Sequence, residues 1–179
     1  MAGNTEIRGI ARTSRWRIAA WTVAALLLLL PLLAMQVSDE VVWGPADFAT
    51  AGALIAGVGA AFELVVRMTG NLAYRAAVAI ALAAAFLIIW INLAVGIIGT
   101  EADPANLVYG AVLATGIAGA LIARLRPHGM ALAMAATALA QALVAIATLI
   151  AGFGQASMVT AIFVAPWLLS AWLFRVAAR

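Results

Sequence analysis

Cysteine and lysine are both absent from the 179-residue chain, and histidine occurs once, as His128. Without cysteine the chain has no disulfide, no reactive thiolate and no cysteine-ligated metal. A single histidine leaves a haem or zinc centre short of ligands unless other chains supply them. We therefore expect no cofactor and no metal site.

Charged residues are also scarce, at 9% of the chain, while hydrophobic residues make up 67%. Soluble domains use about 25% charged and about 45–50% apolar residues, so this composition excludes an ordinary soluble domain and indicates an integral membrane protein. The net charge of +3 comes from arginines in short segments between long apolar runs. That placement favours the membrane surface over nucleic acid as the partner of the positive charge.

The sequence motifs of common membrane and nucleotide-dependent enzymes are missing too. The chain has no His-Glu-x-x-His, no Gly-x-Ser-x-Gly and no Walker A sequence, and its polar connections are too short to hold an enzyme domain. The sequence predicts a protein that is not an enzyme and has no catalytic residues.

Six apolar runs are long enough to cross a hydrocarbon core of about 30 Å, which takes about 17–25 helical residues. They cover residues 18–35, 48–66, 76–98, 107–123, 130–153 and 158–174. The sequence predicts an all-α bundle of six transmembrane helices forming one domain over 18–179, preceded by a basic segment over 1–17. Pro31 and Pro166 each remove a helical hydrogen bond and should bend their spans.

The distribution of charge predicts the orientation of the bundle. Of the ten arginines, four precede the first run, four lie in the second and fourth connections between runs, and two follow the last run. The first and third connections carry five of the seven acids and no basic residue. By the positive-inside rule, both termini should be cytoplasmic. The arginines on that side could contact anionic lipid headgroups.

A weak internal repeat appears when the chain is shifted by 59 residues. The shift aligns residues 45–48 with 104–107, Gly57 with Gly116 and Ala61 with Ala120. It predicts repeated hairpins, each made of an outgoing and a returning helix. Gly57 and Ala61 are four residues apart, as are Gly116 and Ala120. Small residues at this spacing also predict close helix packing.

Polar residues cluster at the predicted outer ends of the spans. Asp47 and Asn106 each follow a proline by two residues, a pattern typical of helix starts. The alternative is that Asp47, Asn92, Glu101 and Asn106 form an ion- or ligand-binding site, in an acidic vestibule that also includes Glu40 and Asp103. For Asn92 the favoured interpretation is a hydrogen bond to a neighbouring helix, with ligand binding as the alternative.

Two polar positions lie deeper in the predicted spans or at their inner ends. Glu63 precedes Arg67 by four residues, the spacing of an ion pair on one helix face, although an intramembrane carboxylate could also carry protons. Gln141, near the middle of the fifth run, should bond to a neighbouring helix.

Several strings resemble an uncharacterised family of small bacterial multi-span membrane proteins. These strings are Asp39-Glu40-Val41-Val42-Trp43 with Asp47-Phe48, Gly70-Asn71-Leu72-Ala73-Tyr74-Arg75, and Trp90-Ile91-Asn92-Leu93-Ala94-Val95-Gly96-Ile97-Ile98-Gly99. The resemblance implies a bacterial inner-membrane location and no particular activity.

These observations leave three functional hypotheses. The first is a non-enzymatic protein that acts through helix packing, as an accessory subunit of a larger membrane complex or as a small homo-oligomer. The second is a small cation or proton channel or transporter that uses the outer polar residues. The third is a protein that binds a lipid or another hydrophobic ligand between its helices.

Overall fold

The structure is a computed structural model that describes residues 21–26, 28–37 and 43–179. The predicted basic segment 1–17 and the acids Asp39 and Glu40 lie outside these residues. The described residues form helices and contain no strand, so the predicted all-α class is confirmed.

The helices of the described residues alternate with short connections. They are α1 (Trp21–Ala34, with residue 27 not described), α2 (Pro45–Met68), α3 (Leu72–Ala94), a 3-10 turn (Pro104–Asn106), α4 (Leu107–Ala123), α5 (Pro127–Ile150), α6 (Gly154–Ile162) and α7 (Val164–Ala177). Helices α6 and α7 follow each other as one apolar span, Gly154–Ala177.

Five spans in the described part of the chain, each of 20 to 24 residues, are long and apolar enough to cross a membrane. They correspond to the second to sixth predicted runs, which are therefore confirmed as long apolar helices. Helix α1 is shorter, and the first predicted run begins before the described residues. A sixth transmembrane span and the orientation of the termini remain predictions.

The ends of α3 and α4 are held by specific polar contacts. Asn71 caps α3, since its side chain accepts a hydrogen bond of 3.1 Å from the backbone N–H of Tyr74. Beyond the end of α4, Arg124 and Leu125 both have positive φ, which lets the chain reverse within three residues before α5. The Tyr74 hydroxyl donates a 2.7 Å hydrogen bond to the carbonyl of Leu125 and so ties this turn to α3.

The last span is interrupted at Phe163, between α6 and α7. Pro166 has no N–H to donate to the carbonyl of Ile162, and its ring crowds that carbonyl, so the helix breaks three residues before the proline. The predicted disturbance at Pro166 is therefore present. In α1, by contrast, helical residues continue through Pro31.

The chain comprises two compact units, Met1–Gly59 and Ala60–Arg179, and the boundary between them falls within α2. In the first unit, α1 lies against two glycines of α2 that are seven residues apart. A Cβ atom on Gly52 would lie 3.7 Å from Leu28, and one on Gly59 would lie 3.1 Å from the ring of Trp21. Close contact between these two helices therefore uses glycine.

In the second unit α5 is the central helix. Three helices, α4, α6 and α7, each pack against α5. Helix α3 packs against α7. Although α3 and α4 are consecutive, they make little contact, so the predicted hairpin of these two helices is not a packing unit. The reason is that Gly116 and Gly119 of α4 face α5 instead.

The contact between α4 and α5 depends on these glycines. A Cβ atom on Gly119 would lie 2.6 Å from the Cβ of Ala133, closer than real Cβ atoms approach. A Cβ on Gly116 would lie 3.1 Å from the Oγ1 of Thr137. Small residues thus let the two backbones approach, as predicted for α4, although the two glycines in contact with α5 are three residues apart rather than four.

We expect Gly119→Ala to lower the free energy of unfolding by about 1–3 kcal/mol, because the added methyl group has no space against Ala133. The measurement is reversible unfolding in mixed detergent micelles. Gly110→Ala on the same helix is the matched control, since a Cβ at Gly110 meets no atom within 4 Å. Equal stability of the two variants would contradict the packing described for α4 and α5.

Candidate functional site

Asp47, the first candidate residue, lies in the first turn of α2 and is exposed. Its Oδ2 accepts a hydrogen bond of 2.8 Å from the backbone N–H of Gly44, immediately before the helix. A carboxylate at the third helical position that reaches back in this way is half of a capping box, and it also complements the helix dipole. The contacts of Asp47 are those of a residue that starts a helix.

Asn106, the second candidate, binds the connection between α3 and α4 with its whole side-chain amide. Its Oδ1 accepts hydrogen bonds from the backbone N–H groups of Ile97 (3.1 Å) and Ile98 (2.9 Å). Its Nδ2 donates to the carbonyls of Ile98 (2.9 Å) and Thr100 (2.7 Å). An amide that makes four backbone hydrogen bonds fixes a loop and has little capacity left for a ligand.

The connection between α3 and α4 also contains the acids Glu101, which is exposed, and Asp103, which is partly exposed. Asp103 caps the 3-10 turn by accepting a 2.9 Å hydrogen bond from the N–H of Ala105. Its carboxylate also lies against Gly99, where a Cβ would be 2.6 Å from Oδ2. Glu101 is exposed in the turn that precedes Asp103.

Asn92, in the last two turns of α3, is partly buried. Its Nδ2 donates a hydrogen bond of 2.8 Å to the carbonyl of Ile88, one turn earlier in the same helix. Its Oδ1 is buried and has no hydrogen-bond partner among the described protein atoms. Asn92 is therefore the one residue of the predicted outer site that retains an unused buried acceptor.

Asn92, Glu101 and Asn106 share one end of the unit Ala60–Arg179, whereas Asp47 belongs to the unit Met1–Gly59. Within the second unit, Asn106 holds the connection that follows the helix of Asn92. No group of three or more His, Asp or Glu residues in the described parts of the chain could hold a metal ion.

The Glu63–Arg67 pair lies near the opposite end of that unit. Arg67 Nη2 is 2.5 Å from Glu63 Oε1, so the ion pair expected from the four-residue spacing is present. The Arg67 side chain is 66% exposed and that of Glu63 21% exposed, so the pair contributes little to stability. Next to it, Arg75 donates hydrogen bonds to the carbonyls of Val66 and Thr69 and joins the end of α2 to the start of α3.

A buried polar cluster on α4, α5 and α6 was not predicted as a site. It consists of Tyr109, Gln141 and Thr160, which are at most 2% exposed. The Tyr109 hydroxyl lies 2.6 Å from Thr160 Oγ1, and Gln141 Nε2 donates a 3.2 Å hydrogen bond to the carbonyl of Thr160. The bond from Gln141 to Thr160 is the contact with a neighbouring helix that its position in α5 predicts.

The direction of the hydrogen bonds in this cluster follows from its geometry. Thr160 Oγ1 also lies 2.6 Å from the carbonyl oxygen of Ala156, which can only accept, so the threonine donates its proton there. Tyr109 must then donate to Thr160 Oγ1. The chain of donors runs from α4 into α6 and contains no carboxylate or histidine, so no acid–base group titrates near neutral pH within it.

Further hydroxyl groups join the helices of the same unit. Ser157 donates a 2.8 Å hydrogen bond to the carbonyl of Ala145, and Ser170 donates a 2.9 Å hydrogen bond to that of Ala77. A sequence signal for this polar interior exists on α5, where the buried Thr137, Gln141 and Thr148 recur at helical spacing on one face. Which helices face that stripe could not be read from spacing.

Comparisons of the chain with models of protein families, with curated proteins and with solved structures find no match.

We expect Asn106→Ala to lower the free energy of unfolding by about 2–6 kcal/mol, since four hydrogen bonds of about 0.5–1.5 kcal/mol each are lost. The amides of Ile97 and Ile98 should also exchange faster with solvent deuterium, which mass spectrometry of the connection can measure. Glu101→Gln, an exposed change in the same connection, is the control and should alter neither quantity. Unchanged exchange in Asn106→Ala would contradict a role in fixing the loop.

Proposed function

We propose that this protein is a non-enzymatic integral membrane protein that acts through helix packing, as a subunit of a larger membrane complex or as a small homo-oligomer. Its location would be a bacterial inner membrane, with both termini cytoplasmic. The arginine distribution and the resemblance to small bacterial membrane proteins support that location.

The observation that carries the proposal is the composition of the exposed face of α4. Gly110, Ala114 and Ala118 lie four residues apart and are exposed, and a Cβ at Gly110 would meet no atom within 4 Å. Small residues at this spacing allow a second helix to approach closely, and close packing is a main source of helix association in lipid. On its other face, α4 uses glycines in this way against α5.

The polar residues support the same proposal, because their contacts are structural. Asp47 and Asp103 cap helices, Asn106 fixes a connection and Glu63 pairs with Arg67. A channel with an outer acidic vestibule would need these oxygen atoms for cations. Binding of a lipid or another hydrophobic molecule is a further alternative, and arginines that contact anionic headgroups would contribute to it.

The test of association is intact mass spectrometry of the protein extracted from its native membrane in mild detergent. We expect it to be recovered with stoichiometric partner chains or with further copies of itself. Ala114→Leu should weaken that association at least tenfold, corresponding to about 1.4 kcal/mol, because a larger side chain separates the helices.

The matched control is Ala161→Leu, the same change at an exposed position of α6. This variant should associate as the native protein does. Recovery of the native protein as a monomer without partners, or equal effects of both variants, would argue against the proposal.

The channel alternative predicts cation or proton flux in liposomes. We expect no flux above that of protein-free vesicles, because Asp47 and Asn106 are engaged in backbone contacts. Flux in the native protein that Asp47→Ala and Asn92→Ala abolish, in variants that remain folded, would favour the channel instead.

A further inference from the structure

The buried side chain of Tyr74 joins three chain segments at one end of the second unit. Its hydroxyl donates a 2.7 Å hydrogen bond to the carbonyl of Leu125, and its ring packs edge-on against Phe174 at a centroid distance of 5.0 Å. Asn71 adds a contact, since its Nδ2 donates a 3.3 Å hydrogen bond to the carbonyl of Ala177. The start of α3, the turn between α4 and α5 and the end of α7 are therefore held together.

In each of these three segments, the residue in contact has an arginine beside it in the chain. These arginines are Arg75, Arg124, Arg126 and Arg175. Both contacts of Tyr74 are made by one side chain, so the α4–α5 turn and the end of α7 are separated by little more than a tyrosine ring. Tyr74 thus gathers arginines that lie up to 100 residues apart in the sequence.

The contacts separate the arginines at this end into engaged and available ones. Arg67 pairs with Glu63, and the partly buried Arg75 donates hydrogen bonds to two backbone carbonyls at the end of α2. The others are exposed, and form no ion pair or side-chain hydrogen bond with any residue that the structure describes. We call these three residues the arginine patch; they are Arg124, Arg126 and Arg175.

The second unit has few acids that could neutralise the arginine patch. They are Glu63, Glu101 and Asp103. Glu63 is paired with Arg67, and the other two lie in the connection before α4, at the opposite end of that helix from the patch. Within this unit the patch therefore keeps an excess of positive charge, which an anion from outside the chain can compensate.

The surroundings of the patch favour a lipid as the source of that anion. Leu121 and Ile122, directly before Arg124, are exposed, and so is Trp172, three residues before Arg175. In a chain that crosses a membrane, exposed apolar side chains contact acyl chains, and tryptophan prefers the level of the headgroups. The arginines that follow these residues reach the phosphates of the same lipids.

We propose that the arginine patch binds an anionic phospholipid whose headgroup carries two phosphates, as cardiolipin does. Guanidinium groups bind phosphate oxygens through paired, charge-assisted hydrogen bonds. The patch has two parts, the α4–α5 turn and the end of α7, and two linked phosphates match them better than one. The site requires neither helix association nor a particular orientation of the termini.

The test is intact mass spectrometry of the full-length protein in neutral detergent, titrated with cardiolipin, phosphatidylglycerol or phosphatidylcholine of the same acyl chains. We expect cardiolipin to bind more tightly than phosphatidylglycerol at equal phosphate concentration, and phosphatidylcholine to bind least. The double variant Arg124→Gln, Arg126→Gln should weaken cardiolipin binding about tenfold or more, because two of the three exposed guanidinium groups are lost. Arg175→Gln should reduce the preference for cardiolipin over phosphatidylglycerol, since one phosphate loses its partner.

The matched control compares two single variants, Arg67→Gln and Arg126→Gln. Each removes one exposed arginine from the same end of the unit, but Arg67 is paired with Glu63 and lies outside the patch. Arg67→Gln should leave cardiolipin binding nearly unchanged. Equal losses in both variants would indicate attraction to net charge alone and overturn the site.

Two further outcomes would also overturn the proposal. Equal binding of cardiolipin and phosphatidylglycerol per phosphate would exclude a headgroup with two phosphates as the preferred ligand. Tighter binding of a polyglutamate peptide than of cardiolipin would assign the arginine patch to an acidic protein partner instead of a lipid.

Discussion

The close approach of α4 to α5 is the contact on which the second unit depends. A Cβ on Gly119 would have no room beside Ala133 and one on Gly116 would be tight against Thr137, so the two backbones lie close together. Once α4 occupies this face of α5, the remaining buried face of α5 packs against α6 and α7. Helix α3 then packs against α7 and makes little contact with α4, although it precedes α4 directly in the chain.

Hydrogen bonds between helices give this packing its register. Lipid supplies no hydrophobic force to drive one apolar helix against another, so polar groups and close contacts must select the arrangement. Tyr109, Gln141 and Thr160 connect α4, α5 and α6, and Ser170 connects α7 to α3. The same groups are buried among apolar side chains, where a shifted register would leave them without partners.

The internal repeat does not lead to equal surroundings. Gly116 is buried against α5, whereas Gly57, its counterpart in the alignment, is exposed and would have space for a Cβ. Likewise Asp47 accepts one hydrogen bond from Gly44, directly before its proline, whereas Asn106 bonds to Ile97, Ile98 and Thr100, four to seven residues before its proline. Similar residues at aligned positions therefore make different contacts, because the chain segments around them differ.

Composition and the lengths of the apolar runs determined the membrane class, the helical fold and the approximate bounds of five spans, because a chain in lipid must satisfy its backbone within each helix. Local spacing also determined helix starts such as Pro45-Ala46-Asp47 and the Glu63–Arg67 pair, since these contacts lie within one or two turns. Only the tertiary structure decided that Asn106 fixes a loop and that Gln141 meets Thr160. The Asn106 contacts lie within an irregular loop, six to nine residues along the chain, and the Gln141 contact depends on which helix faces come together. Periodicity alone leaves both open.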